Sequence, residues 1–211
     1  EHSKNLQQDS WRVDQLQKLR ANPKHPFSKF GTGNRYTLKE RPQENGVDLR
    51  EQLLEYYKNH YSANMMTLAV VGREPLDQLE EWVTKMFSGV PNNDVPPPES
   101  SWAGKVAPFT NGNEVLSVVP IKDDRSLTIS WVLPFTSKED RKMKLETKPD
   151  AIAGSLLGHE GKGSLLSYLK GLGLVTGLGA SLSEQTSDFQ VMSVGVELTP
   201  AGLEQSDTVI E

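Results

Sequence analysis

Four histidines, 28 acidic side chains and no cysteine make up most of the reactive inventory of this 211-residue chain. The histidines are His2, His25, His60 and His159, and no two fall on one helix face at metal-ligand spacing. A zinc site needs three or four convergent nitrogen, sulfur or oxygen donors. No stretch supplies that set locally, so each histidine reads first as a structural hydrogen-bonder. The lack of cysteine excludes disulfides, thiolate metal sites and a thiol nucleophile, and no Gly-x-Ser-x-Gly elbow is present. Gly158-His159-Glu160-Gly161-Lys162-Gly163-Ser164 has the outline of a phosphate loop without its mechanics. Gly163 follows Lys162 where a magnesium-binding hydroxyl is needed, and Leu156 stands where the first glycine should be. Gly171, Gly173 and Gly177 imitate a dinucleotide fingerprint, but the final spacing is wrong and the order of strand and helix is reversed. These glycines read as helix caps and strand bends, and local chemistry alone specifies no reaction.

The elements that would position these residues follow from periodicity and caps. Leu6, Val13, Leu16 and Leu19 predict a helix over 1–20, with no cap before it, ended by Asn22-Pro23-Lys24-His25-Pro26. Residues 30–34 continue as loop. A second helix opens at Asp48, which stands at capping-box spacing from Glu51. Met66 to Val71 reads as a buried strand closed by Gly72. Pro75 begins a third helix with Leu76, Leu79, Trp82, Val83, Met86 and Phe87 on one face. The proline-rich stretch Pro91 to Pro98 favours an extended linker. Beyond it, Val115–Pro120 and Ser126–Leu133 read as strands, the latter alternating Leu127, Ile129, Trp131 and Leu133. Lys138 to Lys148 reads as a charged loop. Helices follow near Pro149 and over 164–170, then strands over 174–182 and 189–198. Thr199-Pro200 starts a last helix as hydroxyl cap and first helical proline. The first residue is not methionine and both ends run through helical patterns, so the chain is expected to be an internal piece of a longer protein.

Composition narrows the partners. With 36% hydrophobic and 24% charged residues the chain is globular rather than disordered. Its basic residues are dispersed and its formal net charge is −5, so it has no basic stripe for nucleic acid. No apolar run reaches bilayer-spanning length. The absence of cysteine fits a reducing compartment, and the cytoplasm is the expected location.

Several segments together resemble the insulin-degrading-enzyme-like (insulysin) branch of the M16 inverzincin zinc metallopeptidases. They are Glu1-His2-Ser3-Lys4-Asn5 with Trp11-Arg12, the run from Asn22 through Asn34, and Tyr61-Ser62-Ala63-Asn64-Met65-Met66 leading to Gly72-Arg73-Glu74. Val119 through Asp123, Gly158-His159-Glu160-Gly161 and Gly163 through Ser167 complete the match. The resemblance implies an α+β fold of the LuxS/M16 metallopeptidase-like type, with mixed sheets packed by helices. Residues 1–95 would be the end of a first, catalytic domain, 96–110 a Pro-rich linker, and 111–211 the start of a homologous second domain. In such enzymes a His-x-x-Glu-His helix supplies two zinc ligands and the water-activating glutamate. That helix is absent here, so the fragment is expected to be inactive alone, with no catalytic residue of its own. Glu1 corresponds to the third zinc ligand, against the plain alternative of a solvated terminal acid. The resemblance also places a substrate-anchoring exosite at Gly154, Gly158 and Glu160 with Leu178, Gly179 and Ala180, where a peptide would add as an extra strand. Ser155 and Lys162 depart from the family pattern there, and ordinary turn and edge glycines are the alternative. Peptide substrates, the remaining domains of the same polypeptide and a homodimer of the intact enzyme are the implied partners. A non-catalytic M16-fold binding or assembly subunit is the competing function.

Overall fold

The computed structural model describes residues 2–98 and 102–211. It is an α+β structure, as expected, and it divides into two compact units: Glu1–Gly31 with Trp102–Glu211, and Thr32–Ser101. The second unit ends just past the proline-rich stretch. The first joins the opening residues to the far half of the chain.

The first unit is built on an antiparallel sheet in the order β1-β3-β2, with β1 at Ser126–Pro134, β2 at Val175–Gln185 and β3 at Phe189–Leu198. Ile129 faces Val194 and Val194 faces Ala180, so the central strand carries the register for both neighbours. β3 is buried at nearly every position, as a strand flanked on both edges should be. β2 follows Gly173, which has a positive φ of 74°, and its pairing slips at two irregularities, between Val175 and Gly177 and between Leu182 and Glu184. Helices α6 (Lys138–Thr147), α7 (Pro149–Leu157) and α8 (Leu165–Gly171) lie between β1 and β2 in sequence. Ser164 caps α8 by accepting from the Ser167 amide, and Thr199 caps α9 (Pro200–Glu204) by accepting from the Gly202 amide. The core joins Leu166 and Leu169 of α8 to Leu174, Val175, Val196 and Leu198. Each such side chain contributes roughly 1.5–3 kcal/mol when fully buried.

The opening segment forms α1 (His2–Asn5) and α2 (Asp9–Arg20), separated by a break where one continuous helix was expected. Residues 107–122 run antiparallel to α2 as a strap. Asn22 donates from its amide to the Pro108 carbonyl at 2.8 Å and from its side chain to the Ala107 carbonyl at 2.9 Å. Arg20 pairs with Glu114, and Arg12 reaches the Val119 carbonyl at 3.1 Å. The Asp9 carboxylate accepts from the Ile121 and Lys122 amides at 3.0 and 3.2 Å. The stretch expected to be a strand at 115–120 is therefore held by side chains of α2 instead of pairing with a strand.

The second unit contains α3 (Arg41–Glu44), α4 (Leu49–His60) and α5 (Leu76–Phe87). Asp48 caps α4, accepting from the Arg50 and Glu51 amides at 2.9 and 3.1 Å. A π-helical turn at Tyr36–Glu40, absent from the sequence expectation, precedes α3. Two further expectations are corrected. Residues 66–71 are exposed and unpaired, because among the described residues no strand lies beside them. Residues 138–147, expected as loop, are α6, because Ser137 caps the run and Glu139 and Asp140 sit favourably in its first turn.

Candidate peptide-binding edge

β2 is an edge strand, and its surroundings depend on two glycines of α7. Proline at the first helical position starts α7, and Gly158 ends it as the C-cap. A Cβ on Gly154 would stand 3.1 Å from the Ala180 carbonyl oxygen. A Cβ on Gly158 would stand 3.0 Å from the Gly154 carbonyl and 3.4 Å from the Ala180 nitrogen. The helix thus rests closely on the β2 backbone, and a side chain at Gly154 would push the two apart by a few tenths of an ångström. Three of the expected exosite residues, Gly154, Gly158 and Ala180, are brought together by this contact. Leu178 lies on the same strand and packs against the core cluster. Gly179 is exposed with open space about its α-carbon. Glu160 is exposed two residues beyond Gly158. Glu1 lies outside the described residues.

Two features were not read from the sequence. The first is a buried pair: His25 Nε2 lies 2.9 Å from Asp188 Oδ2, with both side chains more than nine-tenths buried. His25 Nδ1 accepts from the Phe27 amide at 3.1 Å, which leaves Nε2 to carry the proton and donate to Asp188. Thr186 donates to the other carboxylate oxygen at 3.0 Å. Phe189 meets the His25 ring edge-on at a centroid separation of 5.8 Å, and Phe27, Phe109 and Phe189 pack on one another at 5.3–6.2 Å. The run containing His25 marked the segment as special, but its partner 163 residues away had no local signal. The second feature is a chain of hydroxyls, Ser130 to Ser193 at 2.8 Å and Ser193 to Ser183 at 2.9 Å, crossing all three strands. Ser183 also donates to the Val191 carbonyl, so this is a sheet ladder rather than an activated nucleophile.

Electrostatic perturbation gathers along the strap and at the start of α6. The amides of Ile121 and Lys122, then Arg12, hold the Asp9 carboxyl below its ordinary range. Arg20 lowers Glu114, and Glu114 raises Arg20 in turn. The Thr136 amide and then Lys144 lower Asp140. Among the described residues no three of His, Asp and Glu group closely enough to hold a metal ion, so these residues alone do not fit a zinc centre. Among them, too, no helix is long and apolar enough to cross a membrane.

A family model described as the peptidase M16 inactive domain matches residues 48–211. Over its whole length the chain is 42% identical to the insulin-degrading enzyme of Bos taurus, covering 20% of that protein. It is likewise 40% identical to the A-factor-processing enzyme of Saccharomyces cerevisiae, again covering 20%. A crystal structure of pitrilysin superposes with a TM-score of 0.77 and 25% identity, over 99% of this chain and 22% of that one. The chain spans about one fifth of the relatives it matches. On the family model and this full-length similarity, the chain belongs to the M16 peptidase family.

Proposed function

We propose that this chain is the peptide-anchoring part of a zinc metalloendopeptidase that degrades or processes peptides, inactive by itself. The observation that carries the reading is the seating of Gly154 and Gly158 on the Ala180 backbone at the outer strand of the sheet. An extended peptide would pair with β2 through main-chain hydrogen bonds, which are indifferent to side-chain sequence. Leu178, Gly179 and Ala180 form the docking stretch, with Gly179 leaving room for a close backbone approach. Glu160 accepts the incoming α-ammonium. The names of two relatives, an enzyme that degrades insulin and one that processes A-factor, support a peptide as the substrate class.

The zinc of the intact enzyme is bound largely by residues outside 1–211, with Glu1 as the one ligand this chain supplies. In the parent, residues 1–95 and 111–211 belong to successive homologous domains joined through 96–110, and the parent works in the cytoplasm as a homodimer. The description of the matched model as an inactive domain favours a second reading, a non-catalytic binding or assembly subunit. Zinc content and peptide turnover of the full polypeptide separate the two.

The direct test is fluorescence anisotropy with an unstructured peptide labelled at its C-terminus, mixed with the 211-residue chain and added zinc. Binding without cleavage, lost on N-acetylation of the peptide, is expected. Cleavage by this chain alone would overturn the claim of incompleteness, and equal binding of the acetylated peptide would remove the role of Glu160.

A further inference from the structure

An asparagine followed by glycine can react with its own backbone, because glycine has no Cβ to shield its nitrogen or restrict its conformation. The chain contains two such pairs, Asn45-Gly46 and Asn111-Gly112. The fold holds them very differently. Gly46 follows α3 at φ 66°, and its amide donates to the Gln43 carbonyl at 3.1 Å. The Asn45 amide donates to the Arg41 carbonyl and the Val47 amide to the Pro42 carbonyl, with Asn45 fixed at φ −90° and ψ 6°. Asn111 and Gly112 are instead exposed in the strap, outside any helix or strand. The Gly112 amide has no backbone partner among the described residues, and a Cβ built there would meet nothing within 4 Å.

The exposed pair also stands between two anchors. On one side Asn22 donates to the Ala107 and Pro108 carbonyls. On the other Arg20 grips Glu114 as a fork, Nε lying 2.8 Å from one carboxylate oxygen and a terminal nitrogen donating to the other.

We propose that Asn111 is a self-modification site, deamidated through a succinimide with Gly112, and that its conversion frees the Glu114 end of the strap from α2. The Gly112 nitrogen loses its proton to base and attacks Asn111 Cγ. The new N–Cγ bond forms, the Cγ–Nδ2 bond breaks, and the side-chain nitrogen takes a proton from water and leaves as ammonia. Water then opens the ring at either carbonyl. Attack at Cγ gives aspartate, and attack at the backbone carbonyl gives isoaspartate, whose main chain runs through Cβ. Water is consumed and ammonia released, with nothing oxidised or reduced. Either product sets a carboxylate three residues from Glu114, where it repels that group and competes for Arg20. Isoaspartate must also fit an extra backbone carbon between the two anchors. This inference does not depend on the peptide-anchoring reading.

Peptide mapping by mass spectrometry tests it, on the 211-residue chain aged in mildly alkaline buffer, folded and in urea. In the folded chain Asn111 is expected to deamidate, faster as pH rises. Asn45 should lag at least ~10-fold, because its ring can close only after local opening breaks the hydrogen bonds around it. In urea the two rates should converge. Asn45 converting as fast as Asn111 in the folded chain would overturn the site, and so would a folded Asn111 that stays intact while reacting in urea. The strap is read separately through the Arg20 Nε–H resonance. It should leave its paired position in aged protein and in Asn111→Asp, and keep it in aged Asn111→Gln, whose longer side chain closes the ring poorly. An unmoved Arg20 resonance in fully converted protein would overturn the release of the strap.

Discussion

His25 accepts a backbone hydrogen bond on one ring nitrogen and donates to Asp188 from the other, so both of its hydrogen-bonding positions are committed. Replacing it with leucine preserves bulk beside Phe189 but leaves a buried carboxylate oxygen without its donor. Breaking a buried pair in this way costs on the order of 3 kcal/mol. Urea unfolding followed by sheet circular dichroism should show that loss for His25→Leu, and His25→Gln, which can both donate and accept, should recover part of it. Asp9 is a different case, a half-buried carboxylate held against the strap. Its folded pKa lies below the ordinary 3.8, chiefly because its carboxylate accepts from the Ile121 and Lys122 amides. The carboxylate therefore contributes stability that is present above the ordinary value and lost as pH falls through the lowered one. The Ile121 and Lys122 amide resonances should move in acid as the strap loosens. Asp9→Asn should show that loosened position already at neutral pH and no further acid transition at those two amides. Because Glu114 and Asp140 are lowered as well, global acid unfolding would not report on Asp9 alone.

Helix α7 touches β2 through backbone, so the smallest side chains added there act as wedges. Gly154→Val would place atoms where the Ala180 carbonyl now lies 3.1 Å from the ideal Cβ position. A wedge of this kind typically costs 1–3 kcal/mol, or about tenfold or more if it falls on binding. Anisotropy with a free-amine peptide should show at least a ~10-fold weaker Kd for Gly154→Val and no change for Ser155→Ala, since Ser155 is exposed. An unchanged Kd for Gly154→Val would separate the glycine contact from peptide binding. The contact was legible in the sequence only through family resemblance, since glycine spacing on α7 reads locally as ordinary capping. Caps and periods did locate α4, α5, α7, α8 and the three strands, because Asp48, Ser164 and Thr199-Pro200 act within a few residues of themselves. Ser137 was equally local, but the dense charge after it resembled a solvated loop more than an exposed helix. What periodicity could not supply was pairing. Residues 66–71 and 115–120 have strand composition, but a strand is made by its neighbour. The Asp9 hydrogen bonds, 112 and 113 residues away, decided the second case.

Across the whole molecule, apolar surface and charge are distributed in a way that makes association depend on pH. One unit holds the buried core, while the other leaves Leu68, Val70, Val71 and the α5 face in water. At pH 7 a formal net charge of −5 keeps copies apart, and near the isoelectric point of about 5.5 that repulsion vanishes. A short, uncharged, β-prone run with its backbone exposed is then free to pair with its like. Static light scattering of the 211-residue chain at low ionic strength should therefore peak near pH 5.5 and fall on either side. Charged residues placed within such a run act as gatekeepers, so Leu68→Lys with Val70→Lys should suppress the peak. That substitution also moves the isoelectric point upward by adding two positive charges. A matched control carrying two lysines on the polar surface of α6 keeps net charge equal. If the control suppresses scattering as strongly as the 68/70 pair, charge alone governs association. If it merely shifts the peak while the pair removes it, the segment 66–71 is the adhesive surface.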